Sequence, residues 1–488
     1  MIDRDTFSLY GLSIGILFFL LFIISEPPEN LSYSGWITAG VAILMTIWWV
    51  TEAVPIYVTG IIPIILFPFF NIFEIQEISN SYAHPLVLLF LGGFIIASAM
   101  ESCGLHKRIA INILSISGTS PSKIIAGFMI ATASISMWVS NTASTIMMLP
   151  IATSVIAIFA NQMKSEESSL TVPLLLAIAY SASIGGVATL IGTPTNVMLA
   201  SILSENYNYD ISFFDWFKVG FPVTIILLPV VWFFLTNIIF KVPNNKSDAL
   251  QITLAKLKED IGKSSNAEKI VAMVFILTAS LWMLRRFINS SFDLNINDTS
   301  IGLFGALLLF IIPIKKNQRA CSWDTANKIP WGVLLLVGGG IALSKAFNIT
   351  GLANWIGSFS LFFDGYNIFI LIIIFVALII FLTELNSNTA TIATFAPILI
   401  AFAIGINVNP LFFAIPCTIA ASCAFMLPVA TPPNAVIFGS GKISIKNMVK
   451  AGIILNIISI FLVTIISYFL LKYFFNYEIY SVPNIFIN

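Results

Sequence analysis

Long, uninterrupted apolar stretches recur along the whole chain. A helix that crosses the hydrocarbon of a bilayer needs about 20 apolar residues. Strands of a membrane barrel would instead alternate apolar and polar positions in segments of about ten residues. Because the stretches are continuous, the pattern predicts an all-α polytopic membrane protein. Its eleven candidate transmembrane helices lie near 8–25, 36–50, 54–70, 86–117, 172–203, 219–240, 270–288, 300–314, 331–356, 411–440 and 450–475.

Two further apolar stretches, 124–162 and 366–405, are interrupted at mid-length by small polar residues. They predict re-entrant hairpins that return to the side they left, because backbone that leaves a helix inside the membrane must line protein or a cavity. Two of the eleven spans, 172–203 and 411–440, each contain a Thr-Pro step, and proline breaks a helix. The chain therefore has four predicted interruptions inside the membrane.

Composition agrees with a lipid environment. Only 9% of the 488 residues are charged, against about 25% in a typical soluble domain. This excludes a soluble enzyme, a disordered chain and a secreted disulfide scaffold. The net charge is zero, so no nucleic-acid partner is implied. Two histidines, His84 and His106, and four scattered cysteines predict no metal cluster or embedded enzyme.

The distribution of basic residues predicts the orientation. With a cytoplasmic N-terminus and two hairpins, 18 of the 23 Lys and Arg residues lie on the cytoplasmic side and the C-terminus lies outside. The cytoplasmic set includes Lys164 and six lysines of a hydrophilic linker, 241–269. We expect this linker to be solvated and to carry one surface helix, and a regulatory or lipid-binding role stays open. The outer pair Arg285 and Arg286 is expected to reach toward the membrane interface.

The two halves of the chain repeat each other in order. Three sequences of the first half recur in the second: Leu88–Ala97 as Leu334–Leu343, Ser140–Ala143 as Ser387–Ala390, and Gly192–Asn196 as Ala430–Asn434. Basic residues follow the first Gly-Gly helix but precede the second. The two repeats are therefore predicted to have opposite orientations, as in secondary transporters.

The four interruptions contain no Lys or Arg. A broken helix offers free carbonyls and hydroxyls, which suit Na⁺, and free amides, which suit an anion. The pattern therefore predicts a cation-coupled anion carrier. Glu384, three residues before Ser387, is expected either to attract Na⁺ or to bind nearby backbone. Glu52 is expected either to cap a helix or lie at the membrane interface, or else to take part in coupling.

At these residues the chain resembles the divalent-anion/sodium symporter family, and is similar above all to its bacterial sodium-coupled dicarboxylate branch. The resemblance spans nearly the whole chain. One departure is Thr195, where the second repeat has Pro433. The matching sequences are Trp48–Pro55, both Ser-Asn-Thr motifs, Ile191–Pro194 and Ser422–Asn434.

The resemblance implies an elevator: a homodimer in which each subunit has a scaffold domain and a mobile transport domain. Repeat 1 divides into scaffold helices 1–118 and a transport part 119–218, followed by a helix at 219–240. After the linker, repeat 2 divides into scaffold helices 270–365 and a transport part 366–449, followed by a last helix and outer tail, 450–488.

The resemblance also implies one Na⁺ site in each repeat. The first involves Ser136, Ser140, Asn141 and Gly192, and the second involves Thr383, Asn386, Asn388 and Ala430. The substrate would contact the hairpin tips and the second Thr-Pro step. These substrate residues are Asn141, Thr142, Asn388, Thr389, Thr431 and Pro432.

The function that this implies is Na⁺-coupled symport of C4 dicarboxylates (succinate, fumarate or malate) across the bacterial inner membrane. Na⁺ is the coupling ion, and no organic cofactor is expected. Citrate or sulfate as the main substrate, or dicarboxylate exchange without Na⁺, stay open as alternatives.

Overall fold

A computed structural model of the chain describes residues 4–118, 120–162, 167–242, 248–363, 365–475 and 477–486. Within these ranges the chain forms 23 α-helices and one short antiparallel hairpin, β1 (Pro313–Lys315) with β2 (Gln318–Arg319). Eight helical segments are long and apolar enough to cross a membrane. The structure therefore confirms the predicted all-α membrane fold.

The first half of the chain contains twelve α-helices, of which the last continues as a π-helical turn, Phe234–Ile239. In chain order they are α1 (Arg4–Ile24), α2 (Tyr33–Thr51), α3 (Ile56–Thr59), α4 (Ile62–Phe69), α5 (Ile75–Tyr82), α6 (Pro85–Cys103), α7 (Leu105–Ile116), α8 (Pro121–Ser136), α9 (Asn141–Gln162), α10 (Glu167–Val187), α11 (Pro194–Tyr207) and α12 (Phe213–Phe233).

The second half begins with a helix of the linker and ends with the longest helix of the described chain. Its helices are α13 (Asp248–Ile261), α14 (Asn266–Phe292), α15 (Asp298–Ile311), α16 (Trp323–Ala326), α17 (Trp331–Ile349), α18 (Leu352–Ser358), α19 (Ile368–Thr383), α20 (Asn388–Gly405), α21 (Leu411–Ala421), α22 (Pro432–Gly439) and α23 (Ile445–Phe475). Two short 3₁₀ turns, Phe359–Phe363 and Asn484–Phe486, complete it.

Glycine divides two spans that the apolar pattern predicts as single helices. The predicted span 86–117 ends at Gly104, which has φ 81°, and a new helix starts there. Likewise the predicted span 331–356 ends before Gly351, with φ 77°. A left-handed residue stops a right-handed helix, and glycine adopts that conformation without steric cost. Treating each stretch as one helix was therefore wrong.

The repeated sequences occupy equivalent elements. The two Gly-Gly sequences lie in α6 and α17, the two Ser-Asn-Thr sequences stand at the starts of α9 and α20, and the two Thr-Pro steps start α11 and α22. Each Gly-Gly helix packs against helices of the other half. In the first half α3 and α4 precede α6 but pack on α17, and in the second half α15 precedes α17 but packs on α6. The two halves are thus interlocked.

Both interrupted stretches and both spans with a Thr-Pro step are divided into two helices, and the return of each hairpin to the side it left stays a prediction. In each repeat a turn of a few residues separates the hairpin helices, α8 from α9 and α19 from α20. The two threonines that precede the prolines have nearly the same backbone conformation: Thr193 has φ −144° and ψ 145°, and Thr431 has φ −141° and ψ 148°. Thr195 in place of a second proline therefore leaves this backbone geometry unchanged.

The structure also bears on three smaller expectations. Glu52 ends α2 as a C-cap residue in the left-handed conformation, as expected. The linker carries one helix, α13, whereas 243–247, which include Lys246, lie outside the described residues, as does Lys164. The arginine pair makes two ion pairs that were not expected: Arg285 lies 3.2 Å from Asp298 Oδ1, and Arg286 pairs with Asp215. Its position at the membrane interface stays a prediction.

Candidate functional site

Three oxygen atoms of the first repeat converge where its hairpin meets α10. Ser136, the last residue of α8, places its Oγ 2.6 Å from Asn141 Oδ1 and 2.7 Å from the carbonyl oxygen of Ala182. The hydroxyl has one proton and can donate to only one of these oxygens at a time. Ser136 and Ala182 are buried, and Asn141 is half-buried. We call these three residues the repeat-1 oxygen cluster.

The second repeat builds the same arrangement with a different hydroxyl. Thr383, the last residue of α19, places its Oγ1 2.7 Å from Asn388 Oδ1 and 3.0 Å from the carbonyl oxygen of Ala421. Thr383 stands five residues before its asparagine, as Ser136 does in the first repeat. Thr383, Asn388 and Ala421 form the repeat-2 oxygen cluster.

A glycine lets two further groups approach the first cluster. A Cβ atom on Gly186 would lie 2.5 Å from Asn141 Oδ1 and 3.1 Å from the carbonyl oxygen of Gly192. Any side chain at this position would collide with the asparagine. The structure thus brings Asn141 and Gly192 together, as the resemblance implied.

An asparagine closes the break in each of the two divided spans. In repeat 1, Asn196 Nδ2 donates to the carbonyls of Gly186 (3.1 Å) and Thr189 (2.8 Å). In repeat 2, Asn434 Nδ2 donates to the carbonyls of Ala424 (3.1 Å) and Leu427 (3.0 Å).

In both repeats the two bonded carbonyls lie ten and seven residues before the asparagine. Both asparagines are fully buried. Each side chain thus supplies a donor to backbone carbonyls at the point where the regular helical hydrogen bonds stop.

The remaining expected cation ligands make local contacts. Ser140 Oγ accepts from the backbone N–H of Ala143 at 3.2 Å, and Asn386 Oδ1 accepts from the backbone N–H of Ser387 at 2.8 Å. Both side chains therefore shape the hairpin turns. Ala430 is buried, and its N–H donates to the carbonyl of Leu427 at 3.3 Å. Their roles as Na⁺ ligands stay predictions.

The expected substrate residues stand at helix N-termini. Asn141 and Thr142 begin α9, Asn388 and Thr389 begin α20, and Thr431 caps α22, accepting from the N–H of Asn434 at 3.2 Å. Pro432, the first residue of α22, is exposed, whereas Thr389 and Thr431 are buried. Helix N-termini present free N–H groups and positive dipole ends, which suit an anion.

The two repeats meet around these elements. α9 packs against α22, and α11 packs against α20, so each hairpin contacts the broken span of the other repeat. Tyr180 Oη donates to the carbonyl of Phe425 at 2.7 Å, and Thr195 Oγ1 lies 3.3 Å from Ser422 Oγ. The two oxygen clusters therefore belong to one packed unit.

The donor atoms of this region are hydroxyl, amide and carbonyl oxygens. The described residues include no group of three His, Cys, Asp or Glu side chains able to hold a metal ion. Asn434 Oδ1 is buried without a hydrogen-bond partner. Neutral oxygens around a helix break fit a bare Na⁺, because half-helix carbonyls can replace its water.

The carbonyls of Ala182 and Ala421, and the close approach at Gly186, were missed from the sequence. A backbone carbonyl carries no residue-type signal, so only the alignment of the two repeats could have indicated these positions. Glu384 was noticed, but its partners lie more than 40 residues away along the chain.

Known proteins resemble the chain along nearly its whole length. Residues 7–474 match the family described as the sodium:sulfate symporter transmembrane region. The sodium-dependent dicarboxylate transporter SdcS of Staphylococcus saprophyticus is 40% identical over 95% of this chain and 91% of its own length. SdcS of Staphylococcus aureus strain USA300 is 38% identical, with the same coverage of both chains.

A solved structure shares the fold. The crystal structure of the Alcanivorax borkumensis YdaH transporter aligns with a TM-score of 0.59, over 96% of this chain and 97% of that chain. Sequence identity in that alignment is 12%, so the likeness concerns the arrangement of the helices alone.

Proposed function

Because this chain belongs to the sodium:sulfate symporter family, we propose that it is a multi-pass transporter that carries C4 dicarboxylates into the cell together with Na⁺. Succinate, fumarate and malate are the proposed substrates. The relatives named SdcS are sodium-dependent dicarboxylate transporters, and they align over nearly the full chain. No enzymatic activity is part of this function.

The paired oxygen clusters are the observation that carries the proposal. Each repeat places a carboxamide oxygen and a backbone carbonyl oxygen within 3.0 Å of one hydroxyl oxygen. Ser136, Asn141 and Ala182 would hold one Na⁺, and Thr383, Asn388 and Ala421 a second. The bound cations supply the positive charge that a dianion needs, since the four interruptions contain no basic residue.

We further propose an elevator mechanism in a homodimer of the bacterial inner membrane, with the N-terminus in the cytoplasm and the C-terminus outside. The transport parts are 119–218 and 366–449, and the scaffold parts are 1–118 and 270–365. In support, α8 to α11 and α19 to α22 pack on one another around the clusters. Alternating access by one packed unit against a second is the usual mode of such carriers.

Purified protein in liposomes tests the function directly. An inward Na⁺ gradient should drive accumulation of labelled succinate, and K⁺ should not replace Na⁺. Unlabelled citrate and sulfate, added in excess, should compete poorly. Better competition by either would assign that anion as the substrate. Uptake that ignored Na⁺ but required dicarboxylate inside the vesicle would indicate exchange and contradict symport.

A further inference from the structure

A single buried carboxylate organises the break of the second repeat. Glu384 Oε1 accepts hydrogen bonds from the backbone N–H groups of Phe425 (2.7 Å) and Met426 (2.9 Å), and Oε2 accepts from that of Leu427 (3.0 Å). Asn456 Nδ2, on α23, donates to Oε1 at 2.7 Å. Four N–H groups thus converge on one side chain, which is 3% exposed. Such donors match an ionised carboxylate, which only accepts.

This carboxylate links the hairpin of repeat 2, which carries Thr383 and Asn388, to the break that follows Ala421. Glu384 directly follows Thr383 and lies four residues before Asn388, so its backbone belongs to the hairpin. Its partners belong to the break between α21 and α22, whose carbonyl at Leu427 is in turn bound by Asn434. Any displacement of Glu384 therefore shifts the hairpin tip and the break relative to each other.

The first repeat lacks this device. At the position four residues before Asn141 stands Met137, and the corresponding break is held there by the hydroxyl of Thr189, which donates to the Met137 carbonyl. The helices beyond the two breaks share one close contact. Gly220 of α12 approaches the Val187 carbonyl and Gly452 of α23 approaches the Phe425 carbonyl. The carboxylate is thus a feature of one repeat only.

Within the part of the chain that the structure describes, no basic residue pairs with Glu384. Among the described residues, each Lys, Arg or His in an ion pair contacts a carboxylate other than Glu384. Inside a membrane an ionised side chain without a countercharge is costly. A cation at the neighbouring oxygen cluster would lower that cost.

We propose that Glu384 is a positioning residue that strengthens Na⁺ binding at the repeat-2 oxygen cluster and couples the shape of the break to that binding. It acts through the backbone of residues 425–427 and through its charge, without itself contacting the ion. This proposal rests on the proposed Na⁺-coupled function. It assigns different Na⁺ affinities to the two repeats, with the second repeat binding first as Na⁺ is raised.

Na⁺ binding to purified Glu384→Gln tests this without reference to transport. Glutamine keeps one acceptor oxygen and removes the charge. We expect half-saturation of ²²Na⁺ binding to require at least tenfold more Na⁺ than in wild type. The Na⁺ concentration that gives half of the maximal rise in melting temperature should increase by the same factor. Half-saturation by succinate at saturating Na⁺ should change less than twofold. Exposed Glu101→Gln is the matched control and should behave as wild type.

An unchanged Na⁺ dependence in Glu384→Gln would overturn the proposal. A melting temperature that is lower than wild type by the same amount at every Na⁺ concentration would also overturn it, because that pattern indicates a structural role alone. If Glu384→Gln does not fold, Asn456→Ser removes one of the four donors. It should raise the Na⁺ requirement two- to threefold, and no rise would contradict the proposal. Wild-type protein that ignores Na⁺ would instead refute the proposed function.

Discussion

Lys345 Nζ lies 2.9 Å from Glu205 Oε1, joining α17 to the end of α11. The same ammonium lies 3.5 Å from Glu77 Oε1 of α5. Next to this pair, Asn206 Nδ2 donates to Ser344 Oγ at 2.6 Å. In the proposed division α17 belongs to the scaffold and α11 to the transport part. These contacts must therefore break if the transport part moves.

A cross-link at this contact should stop transport. We expect Asn206→Cys with Ser344→Cys to form a disulfide under mild oxidation and to lose succinate uptake, because the two elements are then tied in one arrangement. Reduction should restore uptake. The measurement is uptake before and after reductant, with the linked fraction followed by mass spectrometry.

Each single cysteine variant serves as the control, and both should transport with and without oxidant. Three of the four native cysteines are buried, which limits side reactions. A fully linked double variant that still transports at the wild-type rate would contradict movement between α11 and α17.

Removing either hairpin carboxamide should strongly reduce uptake. Asn141→Ala and Asn388→Ala each delete an oxygen of a cluster and a polar group at a helix N-terminus. A hydrogen bond to a charged partner contributes about 1.5–3 kcal/mol, so uptake at limiting Na⁺ should fall by about ten- to a hundredfold. Initial rates across Na⁺ concentrations provide the measurement.

Asn237→Ala is the control for these variants, because Asn237 is an exposed asparagine bonded to its own helix at Phe233. It should transport normally. Near wild-type uptake by Asn141→Ala or Asn388→Ala, with unchanged elution on gel filtration, would show that the site assignment is wrong.

A methyl group at Gly186 should disable the first cluster. In Gly186→Ala the added carbon would lie 2.5 Å from Asn141 Oδ1, which displaces the carboxamide, and overpacking of this kind costs about 1–3 kcal/mol. We expect a raised Na⁺ requirement, measured by ²²Na⁺ binding. Gly439→Ala, where nothing lies within 4 Å, should bind Na⁺ as wild type does. Equal Na⁺ binding by the two variants would contradict the geometry.

Loss of the asparagine in the second break should lower stability. Asn434→Ala leaves the buried carbonyl of Ala424 without this donor, at about 1–3 kcal/mol, whereas the carbonyl of Leu427 keeps the N–H of Ala430. The melting temperature in detergent should fall by several degrees, and saturating Na⁺ should not restore it fully. Asn237→Ala should melt as wild type, within about 0.5 kcal/mol. An Asn434→Ala variant as stable as wild type would show that water replaces the side chain.

Much of the fold follows from local signals. Apolar stretches, prolines and polar interruptions predict the helices and four breaks, because burial in lipid and loss of a backbone donor act on neighbouring residues. The internal repeat predicts which residues are equivalent, such as Ser140 and Ser387. The stops at Gly104 and Gly351 were overlooked, although glycine is the usual residue at a helix C-terminus.

Contacts between distant residues were not predictable in the same way. Arg285 and Arg286 stand next to each other, and charge patterning alone places both at an interface. Their partners, Asp298 and Asp215, come from two other helices. The sequence around Glu384 does not indicate whether an ion or the backbone binds this side chain, because its donors lie 41 to 72 residues further along the chain.

The distances along the chain between partners also set an order of assembly during synthesis. Asn196 and Asn434 reach back only seven and ten residues, so each break can close while it is still leaving the ribosome. Glu384 instead waits for Asn456, which enters the membrane with the final helix. A chain truncated before α23 would therefore expose a buried carboxylate lacking one of its donors, and membrane quality control would meet an unfinished second repeat beside a finished first one.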